Sequence, residues 1–198
     1  MTDWSVDDRL LRPPRPIFDP ATLGRGRFHN DNEGLVRGYL AARWLARCRG
    51  ENLSTGHLFA LLFAKSYGLE VVKPSTNETT AWLALWDKEV ANDLVRINPW
   101  LLLGAGDPAT LPRDVRRDAL VRLISELTAG DHELPWWDND KLRRFAQPDL
   151  GETVASLWPT YRSNKEAAQL LMRIAWLGSL KECASLPFDA LFKATFDS

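Results

Sequence analysis

Catalysis and metal binding need a few residue types brought close together, and this 198-residue chain offers few of them. Its three histidines, His29, His57 and His132, are far apart. Zinc asks for ligands at convergent spacing, such as two histidines on one helix turn or paired cysteines, and neither pattern occurs. The densest polar cluster is His29-Asn30-Asp31-Asn32-Glu33. His29, Asp31 and Glu33 could in principle exchange protons, hold a metal or form part of an interface; helix capping and loop hydrogen bonds explain the cluster more simply. Cys48 and Cys183 lack a CxxC partner and a neighbouring histidine, so they read as reduced thiols packed as small apolar groups. Gly104-Ala105-Gly106 has no following Lys-Ser or Lys-Thr, which a phosphate-cradling GxxxxGK[ST] loop requires. Asp138, Asp140 and Asp149 fall near turns and read as helix N-caps. The expectation is a non-enzymatic chain with no cofactor and no metal.

The remaining candidates are recognition residues. Arg113, Arg116, Arg117 and Arg122 share one predicted helix, and Arg143-Arg144 another, so a phosphate backbone is a conceivable partner. The whole-chain balance does not favour it, with a formal charge of −1 and a pI of about 6.3. Nine tryptophans are the one compositional excess. Trp82, Trp86, Trp100, Trp158 and Trp176 fall on or beside predicted helices and read as fillers between packed elements. Trp136-Trp137 lie in a predicted loop and are the best candidates for an exposed aromatic contact. A protein partner is therefore expected first and nucleic acid second, through a surface drawn from His29, Asp31, Glu33, Arg113, Arg116, Arg117, Trp136 and Trp137.

These side chains must be carried by helices. Residues 1–32 are punctuated by Pro13, Pro14, Pro16, Pro20, Gly24 and Gly26, which predicts an irregular arm; Gly26–His29 could add a strand of a small hairpin. From residue 33 onward apolar residues recur at three- and four-residue steps. Over Glu33–Arg49 these are Leu35, Val36, Tyr39, Leu40, Trp44 and Leu45. Ser54 opens a second helix expected to reach Tyr67-Gly68. Others follow at about Asn77–Trp86 and after the Asp87 cap to about Arg96, with a turn at Pro99–Leu103. The longest runs from Pro112 to a Gly130 stop, with Val115, Ala119, Leu123 and Leu127 on its apolar stripe. Shorter ones cover Asp140–Ala146 and Pro148–Pro159. Ser163 and Glu166 form a capping box before the next helix, and a last one includes Leu180, Cys183 and Leu191, split by Pro187.

Amphipathic helices this short cannot bury their faces alone and must stack on one another. Pairs recur at roughly 35–45 residues, the length of HEAT and armadillo repeats. The expected fold is therefore all-α: stacked antiparallel helix pairs in an α-solenoid over residues 33–198, preceded by an irregular arm at 1–32. The N-terminus has no secretory pattern, and no apolar run is long enough for a bilayer. A cytoplasmic, membrane-free protein is expected.

The segment Gly26–Leu45, GRFHNDNEGLVRGYLAARWL, resembles the region just after the nucleotide-binding core of NACHT-type signal-transduction NTPases of the STAND class. There a Phe-His pair precedes a helix with a Tyr-Leu-Ala-Ala core, matched by Phe28, His29 and Tyr39–Ala42. The preceding IFDPATLGRGRFH is similar to the tail of that class's winged-helix region, and later segments resemble downstream helical repeats of bacterial relatives. Gly38 stands where the family's helix commonly carries Glu, and no NTPase core is present. The resemblance implies a C-terminal sensor or protein-interaction module, with an NTPase core as its partner, in bacterial signalling or phage defence.

Overall fold

The computed structural model describes residues 30–104, 106–130 and 139–184, with side chains from Gly34 onward. The chain divides into two units, Met1–Glu33 and Gly34–Ser198, and nearly all described residues belong to the second. Among them are eight α-helices and a two-stranded hairpin: α1 Asn30–Glu51, α2 Thr55–Leu62, β1 Phe63–Ser66, β2 Leu69–Val72, α3 Asn77–Ala84, α4 Lys88–Ile97, α5 Arg113–Ala129, α6 Asn139–Phe145, α7 Gly151–Tyr161 and α8 Lys165–Leu177. Single 3-10 turns at Pro99–Leu103, Pro108–Thr110 and Pro148–Leu150 start at prolines, where a missing N–H costs nothing. The fold is mostly helical, as the periodicity predicts.

Helix starts follow side chains that satisfy the first free N–H groups. Ser54 Oγ accepts from the His57 N–H at 3.3 Å. Asp87 Oδ1 accepts from Glu89 and Val90 at 3.0 and 3.2 Å. At α8 the cap is Asn164, which accepts from the Ala167 N–H at 3.0 Å, and not Ser163; the expected capping box is off by one residue. Gly130 closes α5 at φ 77°, the left-handed conformation only glycine adopts cheaply.

The largest departure from expectation follows α2. In place of a helix reaching Tyr67-Gly68, the chain forms an antiparallel hairpin with Phe63 opposite Val72, Ala64 opposite Val71, Lys65 opposite Glu70 and Ser66 opposite Leu69. The two-residue turn puts Tyr67 at φ 50° and Gly68 at φ 83°, positive at both positions as twisted two-residue hairpins require. Phe63 and Val72, at the open end, are buried, while Tyr67 and Leu69 stand out at the tip.

The core runs through packed neighbours: α3 on α4, α4 on α5, α5 on α7 and α8, and α8 on α6 and α7. α5 and α8 are central. α5 buries Val115, Ala119, Leu120, Leu123, Ile124 and Leu127, and α8 buries Ala167, Leu170, Leu171, Ile174 and others. Each buried Leu or Ile contributes about 1.5–3 kcal/mol relative to exposure. One carboxylate that enters this layer is fully engaged. Glu126 is buried, and its carboxylate accepts from Trp100 Nε1 at 2.8 Å and Arg122 Nε at 2.9 Å, tying the Pro99–Leu103 turn to α5.

Helix α1 meets this core by a narrow contact. Its buried positions are Gly38, Ala42 and Leu45, spaced four and three residues apart on one face. At Gly38 a Cβ would lie 2.6 Å from Glu78 Cβ and 3.2 Å from the Glu78 carbonyl carbon, so only glycine lets α1 cross the start of α3 this closely. At its other end Arg49 donates to Glu89 at 2.6 Å, lies 3.4 Å from Asp87 and donates to the Leu53 carbonyl at 3.2 Å, fastening α1 to the start of α4.

Candidate functional site

Of the eight residues the sequence nominates for recognition, His29, Trp136 and Trp137 and the side chains of Asp31 and Glu33 lie outside the described residues. So do the possible strand at 26–29 and the helix expected beyond Ala184. The three arginines are placed, and they do different things. Arg116 is buried and leaves the proposed surface: it donates to the Ala109 carbonyl at 2.7 Å and pairs with Asp149. Asp149 is thus an ion-pair partner rather than the helix cap its position suggests. Arg113 and Arg117 are exposed, but each is matched by a carboxylate, Glu152 at 3.0 Å and Asp118 at 2.9 Å.

Arg113 and Arg117 border an open groove of about 650 Å³ between the first turns of α5 and α7, with Asp114, Glu152, Thr153 and Ser156. Lys88 reaches Asp114 at 2.7 Å and, chiefly by this hydrogen bond, holds its carboxyl below the usual carboxylate range. Ser156 donates to the Thr153 carbonyl at 2.8 Å. The groove lining contains no histidine or cysteine and no serine aligned with a base, so it lacks the nucleophile–base pair that covalent catalysis needs.

Two reactive side-chain types lie away from this groove. Cys183 is buried, its thiol pushed up by loss of solvent and by Glu182. His57 lies 3.0 Å from Ser54 Oγ at the start of α2. At Gly106, φ 69°, an added Cβ would run into Leu85 and the Trp82 ring, so the position takes only glycine. Among the described residues no three His, Cys, Asp or Glu side chains gather to hold a metal, and no helix is long and apolar enough to cross a membrane.

What the structure does bring together is aromatic and lies on α1, α3 and the turn after α3. Tyr39 packs edge-on against Trp82 at 5.1 Å between ring centroids and against Trp86 at 5.8 Å, Trp82 stacks on Trp86 at 6.3 Å, and Arg43 lies 5.6 Å over the Trp86 ring. Tyr39, Arg43 and Trp86 remain exposed. Beside them, Val36, Leu40 and Trp44 are 59%, 55% and 52% exposed. At 3.6 residues per turn these three span about 80° of the helix surface, roughly opposite Gly38, Ala42 and Leu45. A helix apolar on opposite faces is normally covered on both. The apolar positions were visible in the sequence, but their pattern reads as one inward face, whereas the inward contact is made by smaller residues.

Protein-family models, curated proteins and solved structures were compared with the chain, and none matches it.

Proposed function

We propose that this chain is a non-catalytic interaction or sensor module built from stacked helix pairs, an α-solenoid of the HEAT or armadillo kind. On this reading it serves as the C-terminal part of a cytoplasmic NACHT-like STAND signalling protein, in bacterial signalling or phage defence, with the NTPase core or another protein as partner. One observation carries the interaction role. Among the described residues one buried core runs from α1 to α8, yet α1 also turns Val36, Leu40 and Trp44 outward beside a Tyr39–Arg43–Trp86 cluster. Monomeric proteins seldom leave contiguous apolar surface open without a use for it, and Trp, Tyr and Arg are the residues that dominate protein–protein contacts. Stacked repeats contact only their neighbours, so an end helix keeps one face for the next layer. Of the arginines that suggested the nucleic-acid alternative, Arg113, Arg116, Arg117, Arg122 and Arg143 are each paired with a carboxylate within the fold, while Arg144 is exposed.

The test is a photo-reactive phenylalanine analogue placed at position 40 and, as control, at position 121, where Val121 is exposed away from the stripe. In cells that naturally make the protein, position 40 gives one discrete protein adduct and position 121 gives none. Equal or absent adducts at both positions would remove the interaction reading.

A further inference from the structure

The inward side of α1 is seated on the core by few and small residues. Between Gly34 and Glu51 its buried positions are Gly38, Ala42 and Leu45, against Val115, Ala119, Leu120, Leu123, Ile124 and Leu127 on α5. Among the described residues, broad helix-on-helix packing links α3 to α4, α4 to α5, and α5 to α7 and α8, and α1 takes no part in it. Hydrophobic stabilisation follows the apolar area removed from water, so the inward contact of α1 is weak for its length. What else fastens that side is polar and partly wet. Arg49 donates to Glu89 at 2.6 Å and lies 3.4 Å from Asp87, whose carboxylate caps α4. Thr55 Oγ1 donates to the same Glu89 carboxylate at 3.2 Å, so Glu89 closes the corner between α1 and α2. In that corner Asn52 and Ser54 are exposed, and short connections of this kind absorb the backbone rotation of a hinge.

We infer that α1 is a releasable clasp: it leaves α3 and α4 as a unit, turning about Asn52–Ser54, while α3 to α8 stay packed. Its latch is Arg49 on Asp87 and Glu89, and its seat is Gly38 against Glu78. Elements with few buried apolar contacts open at a lower free energy than the core they rest on. Release takes Tyr39 and Arg43 away from the Trp82–Trp86 pair they now touch, and so bares two large aromatic rings. A partner that needs those rings binds only the released form, and its apparent affinity falls by the fraction released. The device is independent of what meets the outward face of α1, so it neither needs nor tests the interaction reading above.

The test is amide hydrogen exchange of the full chain, read by mass spectrometry in a urea series below the unfolding transition. Amides of α1 are expected to exchange roughly tenfold or more faster than those of α5 and α8. Their dependence on urea should be shallower but not absent, because release exposes less surface than unfolding does. Two variants separate release from global unfolding. Ile124 is fully buried on α5, so Ile124→Val should speed exchange in α5 and α8 about fivefold. It should leave α1 unchanged, since the docked and released forms keep the same core. Arg49→Ala should speed α1 about fivefold by removing its latch. Exchange of α1 in step with α5 and α8 overturns the inference, as does an Ile124→Val effect of equal size in all three helices. Exchange of α1 that ignores urea altogether is fraying of a docked helix and overturns it too. So does an Arg49→Ala protein in which α1 exchanges as in wild type.

Discussion

Helices α5 and α8 and helix α1 are built from the same kinds of residue and end in opposite situations. α5 and α8 have neighbours on several sides, and their Leu, Ile and Ala positions are buried almost without exception. α1 is longer than either, 22 residues, yet among its described side chains it buries only Gly38, Ala42 and Leu45 while larger apolar ones face out. The difference shows that apolar periodicity reports that a helix has a face to cover, and the covering itself depends on what stands beside it. In α5 and α8 that face stabilises this fold. In α1 the outward part of that face is exposed.

The contrast is broken or sharpened first by substitutions of equal kind in the two regions. Phe145 is fully buried beneath α8's layer, so Phe145→Ala should cost about 3–5 kcal/mol in urea unfolding. Leu40→Ala, on the outward stripe, should stay within about 0.5 kcal/mol. A large loss at Leu40 would mean that the stripe is covered by the chain itself.

Charged residues repeat the comparison on a smaller scale. Arg116→Ala leaves Asp149, which is partly buried, and the Ala109 carbonyl without their donor and should cost about 2 kcal/mol. Arg117→Ala, one residue on and exposed, should change stability by under about 0.5 kcal/mol. Lysine at 116 should not restore the loss, because the fork-shaped guanidinium serves two acceptors at once. Gly38→Ala sharpens the account of α1's seat. The added carbon forces α1 away from Glu78, at a cost of about 1–2 kcal/mol, measured by the same unfolding curves.

The smallest effect concerns pH. Lys88 depresses the Asp114 carboxyl, so the contribution of this pair is present above about pH 4, where the unfolded carboxyl is ionised. It is lost as pH falls through the lower folded value. Lys88→Ala should therefore flatten the acid limb of the stability profile and leave the neutral region nearly unchanged, since the pair is exposed. A profile identical to wild type below pH 4 would contradict this.

Much of the helical framework was legible in the sequence because its signals are local. Ser54 and Asp87 cap where their spacing says, and Gly130 stops α5 in the conformation glycine permits. The hairpin was not legible, since Leu58, Leu61, Leu62 and Phe63 continue a helical rhythm into β1. Its turn also begins with a tyrosine at positive φ, not the Asn or Gly that usually announces it. Arg116 shares its helix with Arg113 and Arg117, and nothing in its neighbourhood in sequence reveals that Asp149 will lie against it. The α1 surface was half visible. Val36, Leu40 and Trp44 were recognised as apolar, but Gly38 and Ala42 are too small to register as the contact that seats the helix.

The most direct measurement is hydroxyl-radical footprinting of the tryptophans, read by mass spectrometry, in purified protein and in cells that make it. Trp158 is buried and Trp44 is exposed, so the purified protein should be oxidised readily at Trp44 and hardly at Trp158. In cells Trp44 should become protected while Trp176, exposed on α8 away from the stripe, stays reactive. Protection of Trp44 in the purified protein, or equal oxidation in both settings, would contradict an open face kept for a partner.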